Sequence, residues 1–102
     1  MADWTRQPQE RDGHYFFAGR MYMTRRIAAE LPPEEIQAIV RDLQAFVADS
    51  GGVDYLQVYV SEDDRKIFCI DQLSRPTIEG DTYSEKQIAA YDYWTMLFAE
   101  EY

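Results

Sequence analysis

The chain has 102 residues, 46% of them hydrophobic, with 19 acidic against 10 basic side chains and a formal net charge of −9. That length makes one domain with a core large enough to stand without staples, and the ordinary apolar share excludes wholesale disorder. The single cysteine, Cys69, excludes an internal disulfide; no apolar run approaches the roughly eighteen residues that would span a bilayer, and so negative a balance disfavours direct nucleic-acid binding.

In chain order, Met1 to Gly13 is polar, carries Pro8 and scattered charges, and shows no periodicity; the expectation is a flexible tail over residues 1–13 ahead of a single α+β domain over 14–102. Trp4 is odd in such a tail and is expected to dock, either back onto the domain or onto a partner. His14 to Arg26 clusters Tyr15, Phe16, Phe17, Met21, Tyr22 and Met23 around Gly19, which reads as a strand or as two short segments broken near Ala18. Arg25 and Arg26 read better as a solvated pair than as a contact site.

Pro32 to Asp49 is the strongest element. Ile36, Ile39, Val40, Leu43, Phe46 and Val47 fall on one face of a 3.6-residue helix, and Glu34, Glu35, Gln37, Arg41, Asp42, Gln44 and Asp49 on the other. Pro32 and Pro33 suit a first turn, and Ser50-Gly51-Gly52 supplies a left-handed exit. Burying six such side chains is worth on the order of 10 kcal/mol gross, before ordering entropy is set against it.

Asp54 to Val60 alternates, and the reading places Leu56, Val58 and Val60 toward the helix, with Tyr55, Gln57 and Tyr59 facing away. Ser61 to Arg65 is a polar turn. Lys66 to Asp71 returns as a strand, apolar at four consecutive positions from Ile67 to Ile70, and so central or covered on both faces. Gln72 to Gly80 contains Pro76 and reads as a loop or edge segment. Tyr83 to Ala90 leaves helix and strand open, and Trp94 to Phe98 is expected as a final strand pairing with the hairpin. Phe46, Phe68 and Trp94 are expected in the core. The architecture is thus one main amphipathic helix on a small, mostly antiparallel sheet.

Several blocks occur together: Tyr22-Met23-Thr24-Arg25, Leu31-Pro32 with Ile36-Gln37, Asp54-Tyr55-Leu56-Gln57-Val58-Tyr59, and Thr95-Met96-Leu97 with Glu100-Glu101-Tyr102. Over residues 22–102 this order and spacing resembles a family of small proteins of Gram-positive bacteria, their phages and mobile elements, classed as a domain of unknown function. The resemblance implies a compact α+β fold and a mobile-element setting, and no activity. Relatives of that kind tend to carry a His and a Gln-Glu pair in the returning strand, where this chain has Cys69, Ile70, Asp71 and Gln72; a role tied to that histidine does not transfer. Residues 1–21 have no counterpart in it.

The residues argue against familiar catalytic sets. One His and one Cys, far apart, make a poor metal ligand set, and Asp63-Asp64 lacks EF-hand spacing. Cys69 sits in an apolar strand, where a thiol behaves as a small hydrophobe. Gly51-Gly52 stands at a helix end, not at a phosphate-cradling start. The expectation is no catalytic residue, no metal and no cofactor. The absence of a signal-peptide pattern before the first charged residues sets the further expectation of a cytoplasmic location.

Charge remains. Residues 1–33 carry five basic and four acidic side chains, net +1; residues 34–102 carry five and fifteen, net −10. Glu62, Asp63 and Asp64 crown the hairpin turn; Glu79, Asp81 and Glu85 follow in the next segment; Glu100 and Glu101 come last. Glu35, Asp42 and Asp49 add a stripe on the helix. Solvation explains each group alone, but less well their company: two lysines, Lys66 and Lys86, and outward-facing Tyr55 and Tyr59. Tyrosine beside carboxylate suits a contact aimed at a basic groove. The expected function is that of an acidic, non-enzymatic DNA mimic from a phage or mobile element. It would fill the basic nucleic-acid channel of a host defence nuclease, a Cas9-type effector (an anti-CRISPR) or a restriction complex, through Glu62, Asp63, Asp64, Glu79, Asp81, Glu85, Glu100, Glu101, Tyr55 and Tyr59. The alternative is an accessory protein–protein interaction module whose acidity serves solubility.

Overall fold

A computed structural model describes residues 3–102. The strongest element of the sequence is a helix, α2 (Pro33–Ser50), opened by Pro32 and closed by Gly51 at φ 68°, the left-handed exit that Gly adopts without cost. A short helix, α1 (Arg25–Glu30), precedes it, capped by the Thr24 hydroxyl accepting from the Ile27 N–H. Among the described residues five strands form one sheet: β1 (Trp4–Arg6), β2 (Arg20–Met23), β3 (Leu56–Ser61), β4 (Lys66–Asp71) and β5 (Tyr93–Phe98). The spatial order is β1-β3-β4-β5-β2, antiparallel except for the parallel β2–β5 pair. The fold is α+β, with four α-helices beside the sheet among the described residues.

The N-terminal segment departs from the expected tail. Trp4, Thr5 and Arg6 pair with Ser61, Val60 and Tyr59, adding an edge strand to the hairpin. The Trp4 indole N–H donates to Glu35 Oε1 of α2 at 2.8 Å, and Arg6 Nε donates to Asp42 Oδ2 at 2.9 Å while its guanidinium stacks on Phe46. Gly13 and Tyr15 then lie against Val53, with Tyr15 N–H donating to the Val53 carbonyl at 2.9 Å. Met1 and Ala2, which the expected tail includes, lie outside the described residues.

The larger correction concerns which side of β3 faces the helices. Gln57, Tyr59 and Ser61 are buried; Leu56, Val58 and Val60 are half-exposed. Register fixes the rest, because laterally paired residues share a face. Tyr59 lies beside Ile67 and Phe98, and Gln57 beside Cys69 and Met96, all buried under the helices. On the other side Val58, Phe68 and Leu97 form one row, and Leu56, Ile70, Thr95 and Tyr22 the next. The physical reason is that tyrosine carries more apolar area than valine together with a polar tip. The Tyr59 hydroxyl reaches α2 and donates to Asp42 Oδ2 at 2.7 Å, so the whole ring is interred with its oxygen satisfied. The core expected at Phe46, Phe68 and Trp94 holds for Trp94 alone; Phe46 and Phe68 are half-buried.

Ile39, Leu43 and Val47 of α2 pack with Ile27, Leu31, Val53, Trp94 and Met96. Phe17 joins them, its ring edge-on to Trp94, although its φ of 49° is rare for a bulky residue. Its N–H donates to Asp71 Oδ2 at 2.9 Å, a contact that helps hold the turn in place. Between β4 and β5 the expected loop contains a helix, α3 (Arg75–Glu79), because Ser74 caps it and Pro76 suits its first turn. The segment from Tyr83 to Ala90 resolves as a helix, α4 (Glu85–Tyr91), with a Ser84–Gln87 capping box. Neither short helix buries a residue.

Candidate functional site

Two of the three acidic groups meet at one end of the sheet. The β3–β4 turn closes when Ser61 N–H donates to the Arg65 carbonyl and Asp64, at φ 65°, donates to Ser61. Asp63 folds back onto the Ser61 hydroxyl and accepts from Arg65 Nε at 3.1 Å. The hydroxyl first, then the guanidinium, hold its carboxyl below the usual range. Glu62 accepts the Asp3 backbone N–H at 3.4 Å, and Asp64 stands exposed.

Because β5 is antiparallel to β4, Phe98 lies opposite Ile67 and the chain leaves β5 beside that same turn. Residues Ala99–Glu101 form a 3-10 turn. Glu101 Oε2 accepts both the Phe98 N–H and the Thr24 hydroxyl at 2.8 Å, joining the end of β5 to the start of α1. Glu100 accepts from Arg26 at 2.7 Å; Arg26 also pairs with Glu30 and lies over the Phe98 ring. A groove of about 360 Å³ runs between turn and terminus, lined by Arg26, Asp64, Arg65, Lys66, Phe98, Ala99 and Glu100. This end is acidic at its tips and threaded with cations at its base.

The remaining predicted residues lie elsewhere. Glu79 ends α3, Asp81 follows it and Glu85 opens α4, in an excursion attached at the opposite end of the sheet, where β4 stops and β5 starts. Six-residue strands at about 3.3 Å per residue put roughly 20 Å between the two ends. Glu79 is within 4.0 Å of Arg75. Tyr55 is also at that end, 37% exposed and edge-on to Tyr15 at 6.1 Å. Tyr59 is no surface residue: it is fully buried, and its phenol pKa is pushed far up, first by burial and then by Asp42.

The helix stripe of Glu35, Asp42 and Asp49 is likewise not a free acidic face. Glu35 is 4% exposed and bonded to Trp4, and Asp42 takes both Arg6 and Tyr59. A signal for this lies in the first residues: Trp4 and Arg6 stand two apart, the spacing that puts an aromatic and a cation on one face of a strand. Asp71, also buried, accepts N–H groups from Phe17 and Gln72; burial raises its pKa against those bonds, and neighbouring Asp92 adds to the rise. Cys69 is fully buried, and burial pushes its thiol well above the usual range, so it stays protonated and unreactive. Among the described residues no group of three or more His, Cys, Asp or Glu is placed to hold a metal ion, and no helix is long and apolar enough to cross a membrane.

Compared with family models, with curated proteins and with solved structures, the chain finds no match.

Proposed function

We propose that this chain is a non-enzymatic acidic inhibitor that sets the hairpin end of its sheet into the basic nucleic-acid channel of a host defence nuclease, a Cas9-type effector or a restriction complex, and so blocks DNA binding. The observation that carries the reading is the convergence of Glu62 and Asp64 with Glu100 and Glu101 at one end of the sheet, on a tight hairpin turn and a hydrogen-bonded 3-10 turn. Carboxylates fixed on short turns need little ordering to meet a partner's arginines, which favours affinity. In Cas9-type effectors such arginines read the PAM and line positively charged channels, so a rival anion there excludes DNA. The resemblance of residues 22–102 to proteins of phages and mobile elements supplies the setting in which such an inhibitor works.

The test uses purified effector, labelled target DNA and two triple variants. Glu62→Gln/Asp64→Asn/Glu100→Gln neutralises the hairpin end, and Glu79→Gln/Asp81→Asn/Glu85→Gln neutralises the opposite one. The first is expected to lose at least about tenfold in inhibition, with binding that weakens as salt rises, and the second to retain it. Equal inhibition by wild type and the hairpin-end variant overturns the proposal.

A second reading, an accessory interaction module whose acidity serves solubility, draws on the pairing of Asp63 with Arg65 and of Glu100 with Arg26, which offsets part of the charge. It predicts that no nuclease changes its activity when the protein is added, and that a partner recovered by pull-down binds both triple variants equally.

A further inference from the structure

Strand β2 closes one side of the sheet, and among the described residues no strand pairs with its far edge. Its ladder to β5 runs from the Arg20 N–H to the Asp92 carbonyl at 3.2 Å and from the Thr24 N–H to the Met96 carbonyl at 3.1 Å. Backbone groups of an extended strand alternate sides, so Tyr22 shares that inner side while Met21 and Met23 turn their N–H and C=O groups outward. Met21-Tyr22-Met23 carries no proline, charge or bulge of the kind that blunts a sheet edge. The opposite edge differs, since β1 is three residues long and ends two residues before Pro8. Beside the outward groups of β2 stand two large exposed side chains, one on each face of the sheet. Tyr22, 46% exposed, lies edge-on to Tyr93 on the helix-free face, and Met23, 38% exposed, is on the helix side with Met96.

Charge along this edge runs against the rest of the molecule. Residues 13–29 contain Arg20, Arg25 and Arg26 and no Asp or Glu, and neighbouring β5 has no acid either. Arg20 donates to the Ala89 carbonyl at 2.7 Å; among the described residues neither it nor exposed Arg25 has a carboxylate in ion-pair range. The acids that flank the edge are engaged: Glu101 accepts the Thr24 hydroxyl, Glu30 and Glu100 accept from Arg26, and Asp92 lies against Gly19 in the turn ahead of β2.

We infer that the free edge of β2 takes an extended acidic peptide segment of a partner protein as an added strand, its main chain bonded to Met21 and Met23 and its carboxylates meeting Arg20 and Arg25. Five residues at about 3.3 Å each set those two positions roughly 16 Å apart, so acids at both ends of a stretch of about six residues reach both. A nucleic-acid strand fits less well, because phosphates supply acceptors alone and leave the outward C=O groups unmet. A second copy is opposed by charge: antiparallel pairing centred on Tyr22 sets Arg20 of one copy beside Thr24 and Arg25 of the other. The net charge of −9 does not reach across the edge at physiological salt, where screening acts within about 8 Å.

The probe is the fluorescein-labelled peptide Glu-Thr-Val-Thr-Val-Thr-Glu, titrated against the full chain to about 1 mM by anisotropy and by ¹⁵N spectra. Saturable binding is expected, weakened by salt, with shift changes at Met21, Tyr22 and Met23 and slowed amide exchange at Met21 and Met23. N-methylation of the three central peptide residues, or replacement of both terminal acids by lysine, is expected to weaken it at least about tenfold. Met23→Pro removes an outward N–H without touching the ladder to β5 and is expected to do the same. Arg25→Glu, an acid in the first turn of α1 that the helix tolerates, is expected to weaken it at least about fivefold. No binding to wild type, binding indifferent to N-methylation or to Arg25→Glu, or shift changes confined to other strands overturns the inference. So does self-association through β2 in the absence of peptide, or tighter binding of a single-stranded oligonucleotide at the same residues. Failure here leaves the hairpin-end reading untouched, since β5 stands between β2 and the hairpin and the assay contains no nuclease.

Discussion

Tyr59 decides which face of the sheet is the inside, and the decision is measurable by comparing it with its neighbour Val58. Tyr59 is fully buried, with its hydroxyl 2.7 Å from Asp42, while Val58 is half-exposed on the helix-free face. Truncating a buried aromatic to alanine costs about 3–5 kcal/mol, whereas shortening a half-exposed valine costs about 0.5–1 kcal/mol. For a domain of this size 1 kcal/mol moves the melting temperature by roughly 4–8 °C, so Tyr59→Ala is expected to lose about 15–30 °C and Val58→Ala less than about 8 °C. Against a total of about 5–15 kcal/mol, the first approaches loss of the fold. Tyr59→Phe keeps the ring and removes only the bond to Asp42, a charge-assisted one, for about 1–2 kcal/mol. Circular dichroism on heating and urea titration give all three values. If Val58→Ala is the more damaging, the sheet faces the other way and the reasoning from burial fails.

Trp4→Phe leaves the interred Glu35 carboxylate without its donor and is expected to cost about 1–3 kcal/mol in urea unfolding; Trp4→Phe with Glu35→Leu recovers much of it, and strict additivity of the two refutes the coupling. Cys69 is expected to resist a thiol reagent in the native state and to react at the rate of unfolding; labelling that is fast in native buffer contradicts its burial. Asp71 has a folded pKa raised by burial, so its contribution is fully present below the unfolded carboxylate value near 4 and is lost as pH rises through the higher folded value. Over that mildly acidic window the wild type is expected to gain melting temperature as pH falls relative to Asp71→Asn, and superimposable profiles refute the assignment.

How much of this was legible varies with the physics of each element. Helix α2 was readable because its apolar period, its prolines and its Gly51 exit are all local signals that agree. The hairpin was readable for the same reason, with β4 at its expected bounds and β3 at Leu56–Ser61 where Asp54–Val60 is the sequence reading. The inward face of β3 was not, since a period of two separates two faces without ranking them. Hydropathy favours Leu-Val-Val, whereas the fold buries Gln-Tyr-Ser: the Tyr59 hydroxyl finds Asp42 and the Gln57 Nε2 finds Gln9 and the Asp54 carbonyl, while Gln57 Oε1 is buried without a partner among the described residues. Strand β1 is three residues long, too short for any period, and rests on pairing with residues far along the chain. Helix α3 has its cap signal in Ser74 with Pro76, whereas the proline taken alone reads as a loop or edge segment. At the site, the sequence located the acidic groups but not their company: that the turn and the last residues share one end follows from strand order, which no local pattern contains.

The same geometry changes what the net charge means. Glu35, Asp42, Asp54 and Asp71 are counted as surface acids by composition, yet each accepts hydrogen bonds within the fold. For three of them a donor comes from the segment between Trp4 and Phe17: Glu35 holds the Trp4 indole, Asp42 the Arg6 guanidinium, and Asp71 the Phe17 N–H. Part of the acidity of residues 34–102 therefore anchors the N-terminal segment to the body, which is why a stretch with the composition of a tail is bound along the sheet edge and the helix. Neutralising those positions loosens the fold whatever the protein binds, and removing all the acids together would confound stability with recognition. Exposed tips such as Glu62, Asp64, Asp81 and Glu85 are the carboxylates through which a basic partner can be sensed with the fold intact, and the two ends of the sheet on which they stand give each experiment its own control.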